Sequence, residues 1–85
     1  MIKIKDKVKS LIEEEGYTVT EIADILGVSA SQVAKYRQGV TQIPRIEVAI
    51  NIYLAEQVVI FPYSQEALQE LIKDIAMGVE LEGRR

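Results

Sequence analysis

Cysteine, histidine and tryptophan are all absent from this 85-residue chain. Without cysteine there are no disulfides and no thiolate metal sites. Without cysteine and histidine together, the common nucleophile–base pairs and zinc sites cannot be built. No glycine-rich phosphate loop is present, and Glu13, Glu14 and Glu15 read as a solvated run rather than an acid/base pair. The expectation is a protein that is not an enzyme and carries no metal or cofactor. Long apolar runs are also missing. The stretch from Val58 to Phe61 falls far short of the ~18 residues a membrane span needs. No segment reads as a secretory signal, so a soluble, cytoplasmic protein that meets no membrane is expected.

What is present suits one small, ordered domain. Hydrophobic residues make up 48% and charged residues 27%, which argues against disorder. A chain of this size buries only about 60–65% of its unfolded surface, so self-association is an easy way to bury more. The net charge of -3 does not by itself suggest a nucleic-acid partner. The charge is uneven, however. Residues 1–45 carry seven Lys/Arg against six Asp/Glu, and residues 46–85 carry three against seven, giving +1 and -4. The amino-terminal half can therefore present a local basic face.

Gly16, Gly27, Gly39, Pro44, Pro62 and Gly78 punctuate the chain into five segments without a long linker. In the first, Ile4, Val8, Leu11 and Ile12 form one helical stripe, ended by Gly16. Lysines lead this helix and glutamates trail, against the macrodipole. Lys3, Lys5, Lys7 and Lys9 read first as flexible terminal charges, with proximity to phosphate as the sharper alternative. The second segment opens on a capping box, Thr18-Val19-Thr20-Glu21, and buries Ile22, Ala23, Ile25 and Leu26 before Gly27. The third opens on a second box, Ser29-Ala30-Ser31-Gln32, turns Val33 and Tyr36 inward, and stops at Gly39. Its outer face offers Ala30, Ser31, Gln32, Lys35 and Gln38, with no acid among them.

The fourth segment, residues 45–59, is ambiguous. Ile46, Val48, Ile50 and Ile52 alternate like a strand. Ile46, Ala49, Ile50, Tyr53, Leu54 and Val58 fit a helical stripe, and the length favours helix. Residues 57–61 stay open between helix and strand. After Phe61-Pro62-Tyr63, Ser64 caps a last helix over residues 65–77 with Ala67, Leu68, Leu71, Ile72, Ile75 and Ala76 on its apolar face. Val79 and Leu81 extend the apolar content. The expected core is Val8, Leu11, Ile12, Ile22, Ala23, Leu26, Val28, Val33, Tyr36, Ile46, Ile50 and Leu54.

Two short helices joined at Gly27 make a helix-turn-helix candidate. The first needs a small residue where the second crosses it, and Ala23 supplies it. The turn needs a residue free to adopt positive φ, and Gly27 supplies it four residues later. The second helix needs a branched apolar anchor, supplied by Val33. Ile22, Leu26, Val28 and Tyr36 fill the other inward positions. Residues 18–38 thus resemble the motif of the Cro and lambda-repressor-like (XRE-type) family. The resemblance covers about residues 3–54. Its turn is also similar to that of the lac-repressor group, but the leading helix and the Gly39 and Pro44 spacing favour the Cro-like family.

That resemblance implies an all-α, five-helix, lambda-repressor-like DNA-binding domain. Residues 1–60 would form the helix-turn-helix domain. Residues 61–85 would be a carboxy-terminal helix and tail, within the same compact unit or serving dimerisation. It implies a recognition helix in the major groove. Ala30, Ser31, Gln32 and Lys35 would face bases. Arg37, Gln38, Thr41, Gln42 and Arg45 would meet phosphates. The expected function is a sequence-specific regulator of transcription on double-stranded DNA, a repressor acting as a homodimer through Leu68, Leu71, Ile72 and Ile75. No small-molecule effector is expected. Three departures stand out. The family often has Gln where this chain has Val19 and Ala30, and commonly Glu where it has Arg37. Arg37 could add a phosphate contact or pair with Glu21 or Asp24. The competing expectation is a protein-interaction module on the same fold, antitoxin-like or an adaptor, that reads no DNA.

Overall fold

The computed structural model describes residues 1–83, with side chains described through Met77. Among the described residues it is all-α, with five helices: α1 Ile4–Glu13, α2 Val19–Leu26, α3 Ala30–Gln38, α4 Ile46–Glu56 and α5 Gln65–Gly83. Helix α1 lies across α3, α2 packs on both α3 and α4, and α5 docks on α4. One core runs through all five, built from Val8 and Leu11 of α1, Ile22 and Leu26 of α2, Val33 and Tyr36 of α3, Val48 and Ile52 of α4, and Leu68 of α5.

The inward residues of α1 to α3 follow the 3.6-residue period, and Ile4 joins them. Ile12, Val28 and Ile46 are half-buried and pack against this core. Helix α4 departs from expectation. Its buried side chains are Val48, Ala49, Ile50 and Ile52, whereas Leu54 is 62% exposed. The stripe is rotated from the one expected, because a helix apolar on several sides carries no single period that selects its inner face. Packing between α2 and α5 makes that selection.

Helix α4 also ends earlier than the apolar pattern suggests, at Glu56 rather than residue 59. Gln57 takes the left-handed conformation, φ 56, and its N–H donates to the Tyr53 carbonyl at 2.7 Å. Glycine is the usual residue at such an end, so nothing in the composition marks this one. The chain beyond is extended. Ile2 N donates to Val59 O at 3.0 Å, and Phe61 N donates to Ile2 O at 2.6 Å. Residues 57–61 are therefore neither helix nor part of a sheet, but include one side of a single parallel bridge between Ile2 and Ile60. Ile60 is fully buried there.

Helix α1 stops at Glu13, with positive-φ Gly16 three residues on and Tyr17 N closing onto Leu11 O at 2.9 Å. Ser64 caps α5 by accepting from Ala67 N at 3.1 Å. Helix α5 runs through Gly78 to Gly83 instead of stopping near residue 77. The side chains of Val79 and Leu81 lie outside those described.

One lysine of the amino-terminal run is not a loose terminal charge. Lys7 is buried, and its Nζ pairs with Glu56 Oε2, tying α1 to the end of α4. Its neighbours Lys5 and Lys9 remain exposed. Among the described residues, no helix is long and apolar enough to cross a membrane.

Candidate nucleic-acid interface

The geometry of α2 and α3 is set by their ends. Thr18 Oγ1 accepts from Glu21 N at 3.2 Å, while Glu21 Oε1 accepts from Thr18 N at 3.2 Å. This completes a capping box and satisfies two donors that the first turn leaves free. Helix α2 ends at Gly27, φ 72, with the Gly27 and Val28 amides donating to Ala23 O at 2.9 and 3.0 Å. Asn51 of α4 secures the turn from below, its Nδ2 donating to Leu26 O at 2.9 Å. A Cβ on Gly27 would stand 3.0 Å from that same Nδ2. The glycine is therefore favoured by the backbone conformation, and a side chain there would also press on the Asn51 amide.

Helix α3 begins at Ser29, whose Oγ accepts from Gln32 N at 3.2 Å. The return bond expected from the Gln32 side chain is not formed among the described residues, so the second box is a simple N-cap. Gly39, φ 79, ends α3, and Val40 N donates to Lys35 O at 3.1 Å.

Val33 and Tyr36 are fully buried. At about 100° per residue, the face opposite them is Ser31, Ala34, Lys35 and Gln38, flanked by Ala30. All five are exposed. Gln32 is half-buried at the edge of this face. Ala34 is the one member not expected from the residues alone, although its i, i+4 spacing from Ala30 was signal enough. The remaining candidates follow in the loop. Arg37, Gln38, Gln42 and Arg45 are exposed and Thr41 is half-buried, with Val40 and Ile43 exposed between them.

The surface is cationic and chemically available. Lys35 and Arg37 lie in the last turn of α3, where cations suit the helix dipole. Among the described residues, no side chain of Ser31, Gln32, Lys35, Arg37, Gln38, Thr41, Gln42 or Arg45 makes a hydrogen bond or ion pair. Arg37 pairs with neither Glu21 nor Asp24; the ion pair among the described residues is Lys7–Glu56. Arg37 instead lines a shallow cleft between α1 and α3 with Lys9, Glu13 and Gln38, next to Val19 at the start of α2. Among the described residues, no group of His, Cys, Asp or Glu could hold a metal.

A helix-turn-helix family model matches residues 8–52, which spans α1 from Val8 through most of α4. The chain belongs to the Cro and lambda-repressor-like (XRE-type) helix-turn-helix family. A Pyrococcus horikoshii protein named as an HTH-type transcriptional regulatory protein is 34% identical over 76 residues. That alignment takes in 87% of this chain but 23% of the other protein, so the chain spans about a quarter of the curated relative it matches. No solved structure matches. Helix α3 is the second helix of the matched motif, and residues 39–45 follow it directly.

Leu68, Leu71, Ile72 and Ile75 of α5 do not share one environment. Leu68 is fully buried against the chain's own core, Ile72 is half-buried, and Leu71 and Ile75 are exposed. Leu68 thus finishes the monomer core and is not free to meet a partner.

Proposed function

We propose that this chain binds double-stranded DNA in a sequence-specific way and regulates transcription, repressing as a homodimer by occluding a promoter. The observation that carries the reading is the α3 face. Its small and polar side chains stand outward without internal partners, beside a loop rich in donors. Ser31 can pair with several base edges, Lys35 can donate to guanine O6 or N7, and Ala30 can touch a thymine methyl. Gln32 reaches the groove only from the edge of the face. Arg37, Gln38, Thr41, Gln42 and Arg45 meet phosphates and set the register.

Dimerisation follows from the readout. One short helix reads few base pairs, and two half-sites roughly 34–36 Å apart double them. With Leu68 committed to the core, Leu71 and Ile75 become the centre of the dimer face, with Ile72 beside them. Sedimentation across a range of concentrations tests this arm, and a monomer mass throughout would remove it.

The DNA test is fluorescence anisotropy with mixed-sequence duplex at several salt concentrations. Binding should weaken linearly on a log–log plot against salt, with a shallower slope for Lys35→Ala/Arg45→Ala. No binding at low salt by folded protein would sink the reading. It would favour the second one, a protein-interaction module, which the exposed Leu54, Leu71, Ile75 and Met77 support. In that case Ser31 and Lys35 substitutions would leave activity intact, whereas changes in α5 would not.

A further inference from the structure

We propose that the phosphate-binding surface continues past the helix-turn-helix onto the start of α1, where Lys3 and Lys5, beside Gln38 and Gln42, each neutralise a backbone phosphate of the same duplex. This rests on the DNA-binding reading and deepens it. A cleft of about 410 Å³ opens between the start of α1 and the end of α3, lined by Lys3, Lys5, Gln38, Gly39, Gln42 and Phe61. No acid lines it. The nearest acid in sequence, Asp6, lines a separate groove with Lys3 and Lys7.

The position of Lys5 is set by contact. Its stem lies over Gly39, so close that a Cβ there would come within 3.1 Å of Cδ and 3.7 Å of Nζ. An apolar stem resting on backbone with its ammonium outward is the usual posture of a surface lysine on a packed face. Here it delivers the charge to the end of α3, beside Gln38 and Gln42. Lys7, two residues on, is turned inward and neutralised by Glu56. Among the described residues, Lys3 and Lys5 have no such partner. Two ammonium groups and two amides, with no carboxylate between them, make a donor-rich cleft. A phosphodiester offers the matching acceptors and charge. The cleft borders the same loop that carries Thr41 and Arg45, through Gln42.

A purely structural role for Lys5 is the rival: a cation over the carbonyl end of α3 favours the helix. The two differ in what they change. A structural role alters thermal stability and leaves the salt dependence of DNA binding alone. A phosphate contact alters the slope.

The experiment is anisotropy of the 85-residue chain with labelled mixed-sequence duplex over a salt series. Lys3→Gln/Lys5→Gln should lower the slope of log K against log salt by roughly 1–2, about 0.9 for each phosphate no longer neutralised. Lys3→Arg/Lys5→Arg should keep the native slope. Lys73→Gln, a charge loss on α5 away from the cleft, should leave it unchanged. A native slope in the folded double variant, or an equal loss per charge in Lys73→Gln, overturns the proposal. If the double variant fails to fold, Lys3→Gln alone decides. Its side chain is exposed and precedes α1, so a fall of about 0.9 supports the contact, and no fall removes it. A slope that drops in Lys35→Ala/Arg45→Ala but not in Lys3→Gln/Lys5→Gln sinks this proposal while the DNA reading stands. Absence of binding by the native chain sinks both.

Discussion

Helices α2 and α3 differ from α4 in how their ends are made. Both α2 and α3 start at a hydroxyl that accepts from the first turn and stop at a left-handed glycine. Helix α4 starts at Arg45, with no side-chain cap, and stops at a left-handed Gln57. The first pair is bounded by chemistry within four residues along the chain. The second is bounded by what packs against it: buried Pro44 before it, with its carbonyl accepting from Tyr63 Oη at 2.9 Å, and the Ile60 bridge after it. The apolar content follows the same division. The motif helices bury one narrow stripe each, while α4 is apolar around much of its circumference and leaves Leu54 in solvent. Local signals settle an element when its own side chains can satisfy its ends. They leave it open when distant segments do so.

The sharpest way to break that comparison is within the carboxy-terminal half. Leu68→Ala should cost roughly 2–5 kcal/mol, as for any fully buried leucine, whereas Leu54→Ala should stay within about 0.5 kcal/mol. Urea denaturation of both variants checks this. Equal losses would mean that Leu54 is covered, and a concentration-dependent loss would point to the dimer. Lys7→Ala comes next, at roughly 1–3 kcal/mol, because it strands the Glu56 carboxylate in a partly buried place. Lys3→Ala, by contrast, should be nearly silent in the same melt. If the two behave alike, the α1–α4 tie does not hold in solution.

The glycines sharpen the contrast further. Gly27→Ala and Gly16→Ala both force alanine into positive φ, at about 1–2 kcal/mol each. Only at Gly27 must the Asn51 amide also yield; nothing lies within 4 Å at Gly16. Gly27→Ala should therefore be the worse by about 0.5–1.5 kcal/mol, the worth of the disturbed hydrogen bond. The smallest effect lies in the caps. Thr18→Ala should cost roughly 1 kcal/mol and Ser29→Ala somewhat less, because the box at Thr18 is reciprocal and the one at Ser29 is not. Thermal melts that rank Ser29 above Thr18 would contradict that reading of the two ends.

The same division explains what could be read from residues alone. The motif was legible because each requirement fell on a distinctive residue type: Thr18 and Ser29 at starts, Gly27 and Gly39 at stops, Ala23 at the crossing, Val33 and Tyr36 inside. The outward face of α3 followed by rotation, apart from Ala34, whose small side chain carries no chemistry that calls attention to it. Leu54 reads as core because several helical stripes fit α4 equally well, yet it stands in solvent. Lys7 looked like Lys3 and Lys5, since nothing local distinguishes a lysine that will meet a glutamate 49 positions away.

The pattern of caps, glycines and 3.6-residue stripes by itself determined that this chain forms short helices with a tight turn at Gly27. It also determined the family to which they belong. These features depend on hydrogen bonds and sterics acting across a few residues. Only the tertiary structure decided which side of α4 faces inward, where that helix ends, and that Leu68 is core while Leu71 and Ile75 are surface. It alone brought Lys3 and Lys5 to the end of α3. Those outcomes depend on which segments compete to cover one apolar surface, and that competition is settled only when the whole chain is packed.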